Sequence, residues 1–229
     1  SKGMPSSIVT AFQFLPGPLM LLYYSAKIHF PWDKPIWYVF LITTFIVIPP
    51  FSWALNFASQ RIEVTLIKPL SALSGLSALI AGMLLAHQSI KPIAIAGILV
   101  STAGLMLLYH ARWAVWKKPY PWIALASVLM FGFNAVIVSM TLRAFPYPLT
   151  ITATELTGGF ILSALGSTRK HRHMKWTTYN LALLLGYGIA CLSQELFTSF
   201  ALAAAPAALV ISVKRSSIII ASLAGYFLF

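Results

Sequence analysis

Carboxylates are nearly missing from this sequence: Asp33, Glu63, Glu155 and Glu195 are the only four, against 16 Lys plus Arg. Charged residues of both signs make up 9% of the 229 positions, where a soluble domain carries roughly 25%, so a solvated surface of ordinary extent is excluded. A single cysteine, Cys191, excludes an internal disulfide, and its place in an apolar run suits packing. Alternation over strand-length units of about ten residues is missing, which excludes the barrel pattern. Long polar stretches are missing too, leaving no room for a soluble domain between the apolar segments.

What the sequence has in quantity is apolar length. Hydrophobic residues are 59% of the chain and the mean hydropathy is +0.84. A helix needs about 20 apolar residues to cross a hydrocarbon core about 30 Å thick. Eight such spans are read here, at residues 8–26, 35–58, 64–87, 92–110, 120–143, 147–167, 177–201 and 204–229. The expected fold is therefore all-α: a polytopic helix bundle in a lipid bilayer, a multi-pass integral membrane protein, the expected setting being a bacterial inner membrane. Helix breakers fall inside two spans, Pro16-Gly17-Pro18 in the first and Pro49-Pro50 in the second. Such breaks either kink a helix or line a cavity.

The net charge of +12 would suggest nucleic acid in a soluble chain. Here the excess sits in short loops, where it fits membrane orientation and lipid headgroups, and no nucleic-acid partner is expected. Lys2, Arg61, Arg112, Lys117, Lys118, Arg169, Lys170, Arg172 and Lys175 fall on one side; Lys27, Lys34, Lys91 and Arg143 fall on the other. The first set is cytoplasmic by the positive-inside rule. His171 and His173 lie in its "STRKHRHMK" loop without a Cys or carboxylate, so they read as solvated residues and no metal site is expected.

A shift of 146 residues superposes "TLIKPLSAL" (65–73) on "ISVKRSSII" (211–219), matching Lys68 to Lys214 and Ser71 to Ser217. In each copy Lys and Ser are three apart and share a helix face. A Lys or Arg at the centre of a membrane helix costs about 2.5 to 3.5 kcal/mol, so the adjacent Lys214 and Arg215 require compensation. Glu155 and Glu195 are the two carboxylates in apolar spans, and two acids against three cations leave about one positive charge over, which suits an anionic ligand. Glu155 is either a proton-coupling group or a charge partner, and Glu195 a partner of Arg215. Asn56 and Gln194 are uncharged polar residues in apolar spans, read either as ligand contacts or as interhelical bonds. Trp53, Tyr187 and Phe200 are the aromatic residues placed to stack on an organic moiety.

These residues resemble the drug/metabolite transporter superfamily, the EamA-like permeases built from two copies of a five-helix unit. "IKPLSALSGLSALIAGMLL" (67–85) is similar to the fourth helix of the first copy and "ALAAAPAALVISVKRSSIIIASLAGYFLF" (201–229) to the ninth helix overall. The resemblance implies an inverted-repeat transporter with eight of ten helices in this chain: helices two to five in residues 1–119 and six to nine in residues 120–229, with helices one and ten outside it. The triose-phosphate/phosphate translocators are similar in a sharper way. A Lys on helix four and a Lys-Arg pair on helix nine hold phosphate there, which implies that role for Lys68, Lys214 and Arg215. From the residues themselves, Ser71 and Ser217 are read either as helix contacts or as neutral hydrogen-bond donors to the substrate, and Asn56, Tyr187 and Gln194 complete the candidate substrate site. One departure is "LLAHQS", where the family commonly ends helix four with Gly-Glu.

The function expected is alternating-access transport of a small organic metabolite, anionic or phosphorylated, by exchange or proton coupling, in a monomer or homodimer. The alternatives are an EamA-like exporter of amino acids or amphipathic compounds and a lipid-phosphate flippase. No catalytic set, zinc pattern or Gly-rich phosphate loop is present, so neither an enzyme nor a cofactor is expected. The orientation is directly testable. Ser167→Cys or Thr168→Cys in intact cells is expected to escape an impermeant thiol reagent added outside; labelling there reverses the topology to the one the family pattern implies.

Overall fold

The computed structural model describes residues 6–25, 30–59, 61–62, 64–110, 116–167 and 177–215. Its helices are α1 (Ser6–Phe14), α2 (Pro16–Ser25), α3 (Pro35–Ile42), α4 (Ile48–Ser59), α5 (Val64–Leu85), α6 (Pro92–His110), α7 (Pro119–Ala144), α8 (Pro148–Ser167) and α9 (Thr178–Ala204), followed by α10 (207–215). Pro supplies the first residue of α2, α3, α6, α7 and α8, where its missing N–H would have lacked an intrahelical partner anyway. The architecture is a helical membrane bundle. Pro35–Ser59, Pro119–Ala144 and Thr178–Ala204 are long and apolar enough by themselves to cross a bilayer.

The first expected span breaks where its prolines predict, at Leu15 between α1 and α2. The second behaves differently. The helix continues through Pro49 and Pro50, and the irregularity lies just ahead of them, in a π-turn over Thr43–Val47. Proline removes the donor to the carbonyl four residues back and its ring presses on that carbonyl. The wider turn absorbs both effects, with the Ile48 N–H donating to the Thr43 carbonyl five residues back.

Packing divides the chain into two compact units, one of Ser1–Pro49 with Thr141–Ala203 and the other of Pro50–Met140 with Ala204–Phe229. In the first, α8 is the common partner of α1, α2 and the π-turn. It meets each through a place without a side chain. A Cβ at Gly17 would overlap Leu156, one at Gly158 would lie 2.8 Å from the Thr44 carbonyl oxygen, and one at Gly159 2.8 Å from the Phe14 ring. Small residues let membrane helices approach closely enough to gain van der Waals contact where lipid offers no hydrophobic driving force. Thr152 Oγ1 and Ser199 Oγ, both buried, hydrogen-bond at 2.8 Å between α8 and α9.

The second unit repeats the device. Gly132 of α7 faces the Ser74 carbonyl of α5, where a Cβ would overlap, and Ser77 Oγ donates to the Leu129 carbonyl at 2.6 Å. Its apolar core joins Ala58, Ile62, Leu70, Leu73, Ala124 and Val128 from α4, α5 and α7 and the turn between α4 and α5. Two residues past α5, His87 has a left-handed φ of 46°, and the Gln88 N–H folds back on the Gly82 carbonyl at 3.0 Å. Large apolar side chains cover the outside: Ile93 is 80% exposed and Phe197 75%, the inverse of a water-facing surface and the side lipid requires.

Gly132→Val is expected to lower the thermal midpoint of the detergent-solubilised protein by an amount equivalent to about 1 to 3 kcal/mol, the usual cost of overpacking. Gly186→Ala is the control, because nothing lies within 4 Å of the added methyl. Equal midpoints for the two variants would show that the α5–α7 approach is not tight.

Candidate functional site

Two of the three cations singled out from the sequence are placed by α10. Pro206 ends the break after α9 and starts a new helix, with Leu209 and Val210 N–H groups both donating to its carbonyl. Ala207 and Ala208 are completely buried, and with Ser212 they give α10 a small-residue face. That face meets α5 at Gly75, where a Cβ would stand 2.8 Å from Ser212 Oγ. One turn further on, Arg215 Nε donates to Ser74 Oγ at 3.1 Å, and Ser74 Oγ in turn donates to the Ser71 carbonyl at 2.6 Å.

This chain of bonds gives the guanidinium a fixed base. Ser74 is 1% exposed, its carbonyl faces Gly132, and its hydroxyl is held by the bond to the Ser71 carbonyl. Arg215 is half-buried, as is Lys214. The two differ in direction, since consecutive residues on a helix are about 100° apart; Arg215 lies toward α5 and Lys214 further round α10. Lys68, Ser71 and Gly75 recur on one face of α5 at helical spacing. The side chains of Lys68 and Asn56, and Ser217 altogether, lie outside the described residues.

Four of the other expected site residues belong to the first unit. Tyr187 of α9 donates its hydroxyl to Gln13 Oε1 of α1 at 3.4 Å. Gln194 Nε2 donates to Glu195 Oε1 at 3.4 Å, so these α9 neighbours act as a pair. Glu155 is half-buried on α8 amid buried Thr152, Thr154 and Thr157. It stands one turn before Gly158, the point at which the π-turn packs against α8. Thr44, at that contact, is 4% exposed and its Oγ1 has no hydrogen-bond partner.

The aromatic candidates are on the outside. Trp53 is 68% exposed and stacks on Phe57 with ring centroids 5.6 Å apart, and Phe200 is 52% exposed. Sequence reading missed Ser74, Gly75 and Ser212. The signal for Ser74 and Gly75 was present in "SALSGLSAL" (71–79), a run of small residues at three- and four-residue intervals; Ser212 lies outside it, in "LVISVKRSS".

No curated protein and no solved structure matches the chain. One family model does, and the segment it matches holds α1 to α6, including the α5 helix on which Arg215 is seated. Residues 1–110 match the model of the EamA-like transporter family, a finding consistent with the resemblance to the drug/metabolite transporter superfamily read from the sequence.

Proposed function

We propose that this transporter carries a small organic anion and that Arg215, with Lys214 and Lys68, holds the anionic group. The observation that carries the reading is the seating of the Arg215 guanidinium, through Nε, on a buried serine of α5. A guanidinium fixed at Nε directs its two Nη groups as a planar fork, the shape that matches two oxygens of a phosphate or carboxylate. Lys214 and Lys68 add compact charges that lack Arg's planar geometry. Cations at this depth are costly without a counter-charge, so the loaded site is favoured for the passage of substrate from one face to the other. The inverted repeat suggested by the 146-residue offset would place such a site where alternating access can expose it to each side. Glu155, half-buried on α8, is the group proposed to couple transport to protons.

The test is counterflow in liposomes loaded with inorganic phosphate or with organic phosphates. Wild-type protein is expected to take up labelled phosphate faster than into empty liposomes. Lys214→Ala and Arg215→Ala should each abolish counterflow while the protein stays folded, and Lys68→Ala should weaken it. Ser74→Ala removes only the seat of the guanidinium and is expected to raise KM about tenfold, the scale of one hydrogen bond to a charged group. Transport that responds to no anion, or that persists in the Lys214 and Arg215 variants, defeats the reading.

Glu155→Gln has a separate expected signature: counterflow retained, accumulation driven by a proton gradient lost. Equal accumulation by the variant and the wild type would remove Glu155 from coupling.

A further inference from the structure

The end of the second unit where α4 turns into α5 and α7 begins gathers three exposed cations and a set of rings. Arg61 follows α4 and is exposed. Its guanidinium carbon sits 3.6 Å from the centroid of Phe57 and 5.4 Å from that of Tyr120, while Nη1 donates to the Phe57 carbonyl at 3.2 Å. Lys117 and Lys118 are exposed in the short turn before α7. Ile62 beside Arg61, and Trp116 and Tyr120 on either side of the lysines, pack on the same apolar core, which brings the two turns together.

The rings continue away from the cations. Phe57 packs on Tyr120 at 6.0 Å and on Trp53 at 5.6 Å. Trp116 and Trp122 meet edge to face at 5.1 Å, with Trp122 Nε1 donating to the Trp116 carbonyl at 3.1 Å. Trp53 and Trp122 are more than half exposed. Among the described residues of this unit there is no Asp or Glu to offset the three charges; Glu63 lies outside them. The α7 helix starts at Pro119, directly after the lysines, and its N-terminal dipole adds to the positive field.

Cations with rings beside and behind them are the chemistry of a lipid headgroup boundary. Aromatic residues settle at the interface, and each Lys or Arg near it attracts anionic lipid. Stacking on Phe57 and Tyr120 restricts the Arg61 guanidinium, so less freedom is lost when a phosphate binds. We propose that Arg61, Lys117 and Lys118 form a binding site for the phosphate of an anionic lipid headgroup, with Trp116, Tyr120 and Trp122 seating the lipid beneath it. The site is separate from Arg215 and does not depend on what is transported.

The experiment measures quenching of tryptophan fluorescence in the full-length protein, reconstituted in bilayers containing brominated phosphatidylglycerol or brominated phosphatidylcholine. The wild type should prefer phosphatidylglycerol by about fivefold per cation engaged, with the preference falling at high salt. Arg61→Gln/Lys117→Gln/Lys118→Gln should abolish the preference, and Arg61→Lys should keep part of it, with the folded state of each variant checked by circular dichroism. Three results would overturn the proposal: no preference in the wild type, an unchanged preference in the triple variant, or loss of the preference on adding inorganic phosphate at constant ionic strength. The last would assign the cations to a soluble phosphate. Arg61→Lys alone keeps the assignment testable if the triple variant does not fold.

Discussion

Close approach of one helix backbone to another, at positions with no side chain or a very small one, is the interaction on which each unit depends. Lipid tails are as apolar as leucine, so burying leucine between helices gains little over leaving it in lipid. Contact has to come from dispersion and hydrogen bonding at short range. Gly132 against the Ser74 carbonyl, Gly75 against Ser212, and Gly158 against the Thr44 carbonyl are three such places. The hydroxyl bonds lie beside them: Ser77 to the Leu129 carbonyl and Thr152 to Ser199. Glycine makes the room and serine or threonine supplies the bond.

The same constraint explains how the chain tolerates Arg215. A guanidinium in a membrane helix is destabilising unless its N–H groups meet acceptors. The α5–α10 contact is close because Gly75 and Ser212 are small, and that closeness brings Ser74 Oγ within 3.1 Å of Arg215 Nε. Ser74 can accept because its own proton is directed to the Ser71 carbonyl. Packing and polar chemistry are thus one arrangement, and enlarging a glycine here would displace the charge as well as the helix.

Prolines act on this bundle in two ways. At Pro16 the helix stops and restarts, and the following Gly17 gains direct contact with α8. At Pro49 and Pro50 the helix persists, and the π-turn before them takes up the missing donors. The difference follows from the surroundings of each proline: a π-turn keeps backbone groups bonded within the helix, which lipid demands, while it turns the Thr44 carbonyl toward Gly158 of α8.

Composition by itself determined the bundle: few charges, one cysteine and apolar runs of membrane length admit no soluble or barrel alternative. From α1 to α9 the helical segments begin and end within a few residues of the first seven spans read from the sequence, because prolines and loop charges punctuate an apolar chain sharply; the end of the eighth span lies outside the described residues. The costly positions of Lys214, Arg215 and Glu155 were legible for the same reason, since a charge in an apolar run needs no partner to be noticed. The partners were decided by tertiary structure. Ser74 looks like any other small residue of "SALSGLSAL" until α10 is laid on α5, and nothing in the prolines themselves marks Gly158 as the residue against which the π-turn packs. Hydropathy records which residues leave water; which hydroxyl meets which guanidinium depends on distances of about 3 Å that only helix packing sets.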